Sequence, residues 1–406
     1  MSTPSRPSSA GQGDHASAAA GLPAALWLLA FAFAAMNLRA PIVVIGPVLE
    51  PIMNTLAIGA STASLFTTAM IVCFGVLSPL APGLAARLGL DRALALVLLL
   101  IALGGLLRGV ESLGVMMIGT VLVGAGIACG NVFMPRLVKR DRPDRIGATM
   151  GIYTVTLGIG STLAAGTSVP LMHLTDSWSV PIWLWAGVGL ASATGWALIA
   201  VRHPPARAGA STARITALFR NPVAWTLTVF MGMQSLGYYT LQTWIAKVAG
   251  DAGVPDATAG GMLSLVNLTT IPASYVIARI AAKLGRHSAL AVGLTSVVAV
   301  AVVGLWLAPT FSPLLWSVVL GLGQGGCFSL ALTMIVLRTR EPHHAAMLSG
   351  MSQSIGYLVA ASGPLIFGAL QGVTGSWHAS LLFLLVLLGV QGMAGYLIGR
   401  PRMVTP

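Results

Sequence analysis

The sequence predicts an all-α integral membrane protein: twelve transmembrane helices arranged as two six-helix halves with pseudo-two-fold symmetry. Three observations carry that expectation: scarce charge, a dozen apolar stretches of span length, and glycines and chain breaks that recur at half-length. Of 406 residues, 56% are hydrophobic and only 8% charged, with mean hydropathy +0.87. A water-soluble domain carries about 25% charged residues. A helix crosses a bilayer with about 20 predominantly apolar residues, and such stretches lie at 23–48, 58–80, 93–110, 112–135, 146–172, 179–201, 223–247, 257–280, 288–308, 312–336, 345–370 and 377–399.

The segments outside these spans set the orientation. Residues 1–21, rich in Ser, Ala and Gly, read as a disordered cytoplasmic tail. The apolar run that follows is span-length, unlike the short apolar region of a signal peptide. The halves are expected at 22–201 and 222–400, joined by a polar cytoplasmic linker at 202–221 and followed by a tail at 401–406. With the N-terminus inside, 19 of the 22 Lys and Arg residues fall on the cytoplasmic side, five of them in the 136–145 connection alone. That bias is the positive-inside signature and places both termini in the cytoplasm of a cell whose inner membrane the chain would span. The net charge of +12 is therefore a topology signal; no stacking motif for nucleic acid accompanies it. Cys73, Cys129 and Cys327 fall in separate spans without metal-ligand spacing and read as packing residues. No cofactor or metal is expected, and the chain reads as a monomer whose partners are the lipid bilayer and a small solute.

The half-length repeat is explicit. Shifted by 196 to 198 residues, Ala85-Ala86-Arg87-Leu88-Gly89 meets Ala281-Ala282-Lys283-Leu284-Gly285, Gly124 and Gly126 meet Gly321 and Gly323, and Gly158 meets Gly356. An offset this steady argues for parallel repeats related by an axis along the membrane normal. Gly321-Leu322-Gly323-Gln324-Gly325-Gly326 also fits a dinucleotide-binding pattern, but that reading needs a preceding strand. Inside an apolar span, the glycines are expected to let helices approach. Gly363-Pro364 in span 11 reads as a bend or close-packing site.

Within this apolar chain Arg39 stands out as the one charge well inside a span. A guanidinium near mid-bilayer costs about 3 kcal/mol or more, so a helix keeps one when it faces a polar cavity. Pro41 and Pro47 lack backbone N–H groups, leaving the Asn37 and Val43 carbonyls without helical partners, and span 1 should bend beside Arg39. Span 7 carries Gln234, Tyr238 and Gln242 on one face at four-residue spacing, with Lys247 near its outer end. Span 8 offers Asn267 and Thr270; span 11 offers Gln353 and Tyr357. These amides and hydroxyls either line a cavity or join helices, and Arg39 itself either meets substrate or pairs with Glu50 or backbone carbonyls. All ten acidic residues fall in the tail, in connections or at span ends. A buried cation without a buried anion suggests that the counter-charge arrives with the substrate, as a small anion or electron-rich polar group bound bidentately.

Four motifs in order resemble the cyanate and 2-nitroimidazole transporter family of the major facilitator superfamily. They are Met36-Asn37-Leu38-Arg39-Ala40-Pro41 with Gly46-Pro47; Gly130-Asn131-Val132-Phe133-Met134-Pro135-Arg136; Gly232-Met233-Gln234-Ser235-Leu236-Gly237-Tyr238-Tyr239 with Trp244; and Gly350-Met351-Ser352-Gln353-Ser354-Ile355-Gly356-Tyr357. The resemblance covers residues 23–400 and implies a twelve-helix alternating-access transporter for a small polar or anionic solute. By carry-over, Arg39, Asn37, Gln234, Tyr238, Trp244, Gln353 and Tyr357 would line the pathway, with Gln242, Asn267 and Tyr153 as further candidates. The chain departs from the superfamily between spans 2 and 3, where the acid usually found before the basic residue is displaced to Asp91, which puts the inner gate linkage of that segment in question. A small cyanate-like anion is the first expected substrate and a neutral nitroaromatic, exported, the alternative. A non-transporting sensor would usually carry an added soluble domain, and an enzyme reading finds neither HExxH nor GxSxG.

The orientation is directly testable. In a background free of native cysteines, Arg142→Cys and Asp176→Cys should be labelled from opposite sides of the membrane by an impermeant maleimide. Labelling from one side would refute the twelve-span scheme.

Overall fold

The computed structural model describes residues 23–404 apart from 143–144, 203–214 and 340–341. The expected tail 1–21, the body of the linker 202–221 and the end of the tail 401–406 lie outside the described residues. The described chain is helical, with no strand. Its membrane segments are α1 (Ala24–Leu56), α2 (Ala60–Leu88), α3 (Leu90–Arg108), α4 (Leu113–Asp141), α5 (Ile146–Thr175), α6 (Ser179–Arg202), α7 (Pro222–Asp251), α8 (Asp256–Lys283), α9 (Ser288–Leu307), α10 (Pro313–Leu337), α11 (Pro342–Ala360 continued as Ser362–Thr374) and α12 (His378–Ile398). Eleven are long and apolar enough to cross a bilayer. The twelfth, α7, has ample length at 30 residues but carries the amides, hydroxyls and phenols that mark the site.

Two helices run further than charge and proline suggest. α1 continues past Glu50 to Leu56, and α2 passes through a 3-10 turn at Ser78–Leu80 and ends at Leu88. Both prolines there stand in the first turn of the segment they open, where a missing N–H breaks no bond. The Ala85–Gly89 stretch, expected as a loop, is therefore helical, and the turn shrinks to Gly89, whose φ of +81° suits glycine. Asp91 then lies in the first turn of α3.

The same helix pairings occur six helices apart: α2 with α4 and α8 with α10, α3 with α6 and α9 with α12, α1 with α5 and α7 with α11. Glycines make the close approaches. A Cβ on Gly124 would lie 2.9 Å from Met70 of α2, and one on Gly321 would lie 2.3 Å from the Val266 carbonyl of α8. Gly126 meets Val97 and Ile101 of α3 as Gly323 meets Val298 of α9. The glycine run of α10 is thus a packing surface for two neighbours, backbone against backbone. Between the halves, α5 lies along α8 and α2 along α11.

At the positively charged end, Arg140 of α4 is held by Asp91 through two parallel bonds of 2.8 and 2.9 Å and also pairs with Asp141. Asp141 accepts from Trp27 Nε1 at 3.0 Å, so the cluster ties α1, α3 and α4. The displaced acid of the span 2–3 connection keeps a bidentate partner. Both carboxylates are nearly buried, with side chains 7% and 3% exposed, so a lost guanidinium leaves uncompensated charge. Arg140→Gln should cost roughly 3 kcal/mol and lower the melting temperature more than Asp91→Asn, which leaves the Asp141 pair. Equal melting temperatures for the two variants would show that the cluster does not stabilise the fold.

Candidate substrate-binding site

The site begins at the break in α1. Because Pro41 cannot donate to the Asn37 carbonyl, the helix stops at Asn37. Leu38 and Arg39 close a tighter turn onto the Ala35 and Met36 carbonyls at 3.0 and 3.2 Å. The helix resumes at Ala40–Val43 with Pro41 in its first turn and is interrupted again by a 3-10 turn at Gly46–Val48. Within this interrupted stretch Arg108 Nη1 of α3 donates to the Pro41 carbonyl, while Ser168 of α5, whose hydroxyl donates to Ala164 of its own helix at 2.6 Å, lies with its Oγ 3.5 Å from the Val44 oxygen. Arg39 sits in the turn with φ −128° and ψ −43°, off the helical track, and its side chain meets α7.

There Arg39 Nη1 donates to the Tyr239 hydroxyl at 3.3 Å, and its Cζ stands 5.0 Å from the centre of the Tyr238 ring. Cation–π contact of this kind contributes about 0.5–2 kcal/mol. Tyr238, Tyr239, Tyr357 and Phe74 form a chain of edge-on and tilted rings with centres 5.2 to 6.3 Å apart. Arg39, three of these rings, Gln234, Ser235, Thr270, Gln324 and Phe328 enclose a cavity of about 30 Å³, room for a group of a few atoms. Among the described residues no carboxylate pairs with Arg39. Glu50, the alternative partner weighed above, lies 3.3 Å from Lys247.

The candidates separate into two sets. Arg39, Gln234, Tyr238 and Tyr357 share the cavity. Tyr238 also donates to Asn267 Oδ1 at 3.1 Å, and Asn267 exchanges bonds with Gln242 at 3.1 and 3.2 Å, a network between α7 and α8. Asn37 instead turns away, buried against α6, where it donates to Ser192 Oγ at 2.8 Å. Trp244 is fully buried, donates to the Pro364 carbonyl at 3.1 Å and packs on Trp377. Gln353 donates to Ser349 on its own helix. Tyr153 donates to Asn131 Oδ1 at 3.2 Å beside Phe31. Arg39 is also not the one cation inside the bundle: Arg108, at the end of α3, is fully buried.

Sequence reasoning missed Tyr239, Gln324 and Phe328. The four-residue spacing selected one face of α7, whereas α7 is buried nearly all round, so the Ser235–Tyr239–Thr243 face is interior as well. Thr243 bonds Thr67 of α2 at 2.7 Å across the halves. Gln324 lay inside the glycine run and was absorbed by its packing explanation; a lone amide in an apolar span was the available signal.

Comparison with known proteins agrees with this fold. Residues 26–364 match the family model of the Major Facilitator Superfamily. The chain is 36% identical to the uncharacterized transporter YycB of Bacillus subtilis (strain 168), covering 93% of this chain and 94% of that one. It is 32% identical to the 2-nitroimidazole transporter of Escherichia coli (strain K12), covering 91% and 94%, and 27% identical to the cyanate transport protein CynX of the same organism, covering 86% and 91%. A bacterial homolog of the human lysosomal transporter Spinster, in an inward-facing and occupied conformation, superposes with TM-score 0.78 at 14% identity, covering 94% of this chain and 98% of that one.

The two sets of candidates should behave differently on substitution. Tyr239→Phe removes the hydroxyl that Arg39 donates to and should weaken anion binding about tenfold, the low end for a hydrogen bond to a charged group, with little change in melting temperature. Trp244→Phe should lower the melting temperature and leave affinity unchanged. Thermal shift with and without ligand reads both; the opposite pattern would remove Tyr239 from the site and put Trp244 in it.

Proposed function

Since the chain belongs to the major facilitator superfamily, a family of membrane transporters rather than enzymes, we propose that it moves a small, cyanate-like anion across the cytoplasmic membrane with Arg39 as the substrate's charge partner. The observation that carries this reading is a guanidinium that opens on a cavity and is met there, among the described residues, by phenol rings and one hydroxyl and by no carboxylate. Such a cation keeps donors free for an incoming oxyanion or pseudohalide, and its planar fork suits two-point recognition. The size of the cavity, about 30 Å³, favours a solute of a few atoms. The two six-helix units, 22–201 and 222–400, would rock about this site with both termini in the cytoplasm. Arg39 comes from the first unit and its tyrosines from the second, so a bound anion would be gripped by both.

A second reading is supported by the ring wall itself. Tyr238, Tyr239 and Tyr357 could hold a neutral nitroaromatic by stacking, with Arg39 donating to its nitro oxygens, as the relative named a 2-nitroimidazole transporter suggests.

Substitution at Arg39 separates the two. Arg39→Lys keeps the charge but loses the fork; it should insert normally and bind cyanate about tenfold or more weakly. Arg39→Ala should abolish anion binding while retaining 2-nitroimidazole if the rings hold it. A folded Arg39→Ala protein that exchanges cyanate at the wild-type rate in proteoliposome counterflow would refute the assignment.

A further inference from the structure

Arg108 is a second guanidinium inside the bundle, and nothing in the proposed transport step uses it. It is the last residue of α3 and is fully buried. Helical side chains lean toward the helix N-terminus, so from this end Arg108 reaches back among the helices rather than out to water. Its stem is held by close packing: a Cβ on Gly119 of α4 would lie 2.5 Å from the Gly104 carbonyl of α3 and 3.0 Å from Arg108 Cγ. One nitrogen, Nη1, donates to the Pro41 carbonyl. Nε and Nη2 have no hydrogen-bond partner among the described residues.

A buried cation with two unmet donors is a poor way to stabilise a bundle, since an apolar side chain of similar volume would fill the same space without the desolvation cost. What Arg108 provides that an apolar residue cannot is a donor for one particular oxygen. That oxygen lies two residues beyond Arg39, in the four-residue helical piece Ala40–Val43 that sits between the two interruptions of α1. A short helical piece has little rigidity of its own. With its carbonyl released, the piece would shift to find another donor, and the turn carrying Arg39 would move with it.

We infer that Arg108 is a positioning residue that pins the break in α1 and thereby holds the Arg39 guanidinium at the tyrosine-lined cavity. The inference rests on the reading of Arg39 as the substrate's charge partner. It assigns Arg108 no contact with substrate. Its action is on the backbone, through one bond, and reaches the anion only by way of Arg39.

The experiment uses the full-length chain purified in detergent, with cyanate as the probe and two readouts. Arg108→Met should retain the wild-type melting temperature, bind cyanate about tenfold more weakly, and show faster amide hydrogen exchange over 42–46 but not over α6. Arg108→Lys, whose ammonium can donate to the same carbonyl, should bring both affinity and exchange back toward wild type. The affinity losses of Arg108→Met and Tyr239→Phe should be less than additive, because both act through the placement of Arg39. Unchanged exchange over 42–46 in Arg108→Met overturns the inference, as does an Arg108→Lys protein that regains affinity without regaining protection, which would mean that charge alone matters. If Arg108→Met does not fold, the Arg108→Lys protein carries the same two readouts, and full loss of protection there with wild-type affinity overturns the claim. These outcomes are separate from failure of the functional reading, in which Arg39→Ala keeps cyanate binding while exchange over 42–46 still responds to Arg108.

Discussion

The structure turns on a positive charge held inside the bundle without a carboxylate. An intact helix would present Arg39 on its regular track with every backbone group bonded internally. The prolines remove that regularity, so residue 39 sits in a turn and its side chain crosses from the first half to α7. In a bilayer each carbonyl freed by a break must find a donor within the protein. Arg108 supplies one, to the Pro41 carbonyl. The break and the buried arginine of α3 are therefore one feature, and on the proposed reading they set where a substrate would be met.

The same constraint explains α7. Its residues face the cavity, α8, α2 and α11 at once, and most of the helix is buried. Amides and hydroxyls are tolerated there because they bond one another or neighbouring helices, as in the Tyr238–Asn267–Gln242 network and the Thr243–Thr67 pair. The links across the halves are single bonds spread along the seam: Arg39 to Tyr239, Thr243 to Thr67, Thr68 to the Ala361 carbonyl, Ser264 to the Thr162 carbonyl and the Lys247–Glu50 ion pair, beside the close contact of Gly46 with the Gln242 carbonyl. No run of bonds locks the halves together at these points among the described residues, which on the proposed reading would let the two units part and re-form their contacts, as alternating access requires.

Fold class was legible because its signals are collective. Twelve apolar stretches and a glycine offset near 197 survive errors at any single residue, and the equivalent packing of Gly124 with Gly321 and of Gly126 with Gly323 follows from that offset. Arg39 was legible because a charge in hydrocarbon needs a reason. The finer assignments were harder, since a polar residue in a span has two uses and sequence spacing does not distinguish them. Asn37 and Trp244 sit within a turn or two of cavity residues yet point into helix–helix contacts, while Tyr239, one residue from a candidate, makes the hydrogen bond that Arg39 donates. A helix buried on all sides gives periodicity no outside to measure against. Arg108 gave no signal in the sequence for a related reason: its backbone is at the end of α3, but its side chain is buried in the bundle.

A transport site must also let its substrate go. A bare guanidinium in a medium of low dielectric would attract a small anion strongly enough to trap it, and a carboxylate partner would compete with the anion outright. The tyrosine setting lies between these limits. A ring face and one hydroxyl offset part of the desolvation of Arg39 without neutralising it, so an anion entering the cavity gains a charged, two-point contact and displaces no counter-ion. On the proposed reading, when the halves part, Arg39 would leave with the first unit and Tyr238, Tyr239 and Tyr357 with the second. Grip and release would then be the same interface closing and opening, with affinity set by how well the break in α1 aligns the guanidinium with the rings rather than by the charge alone.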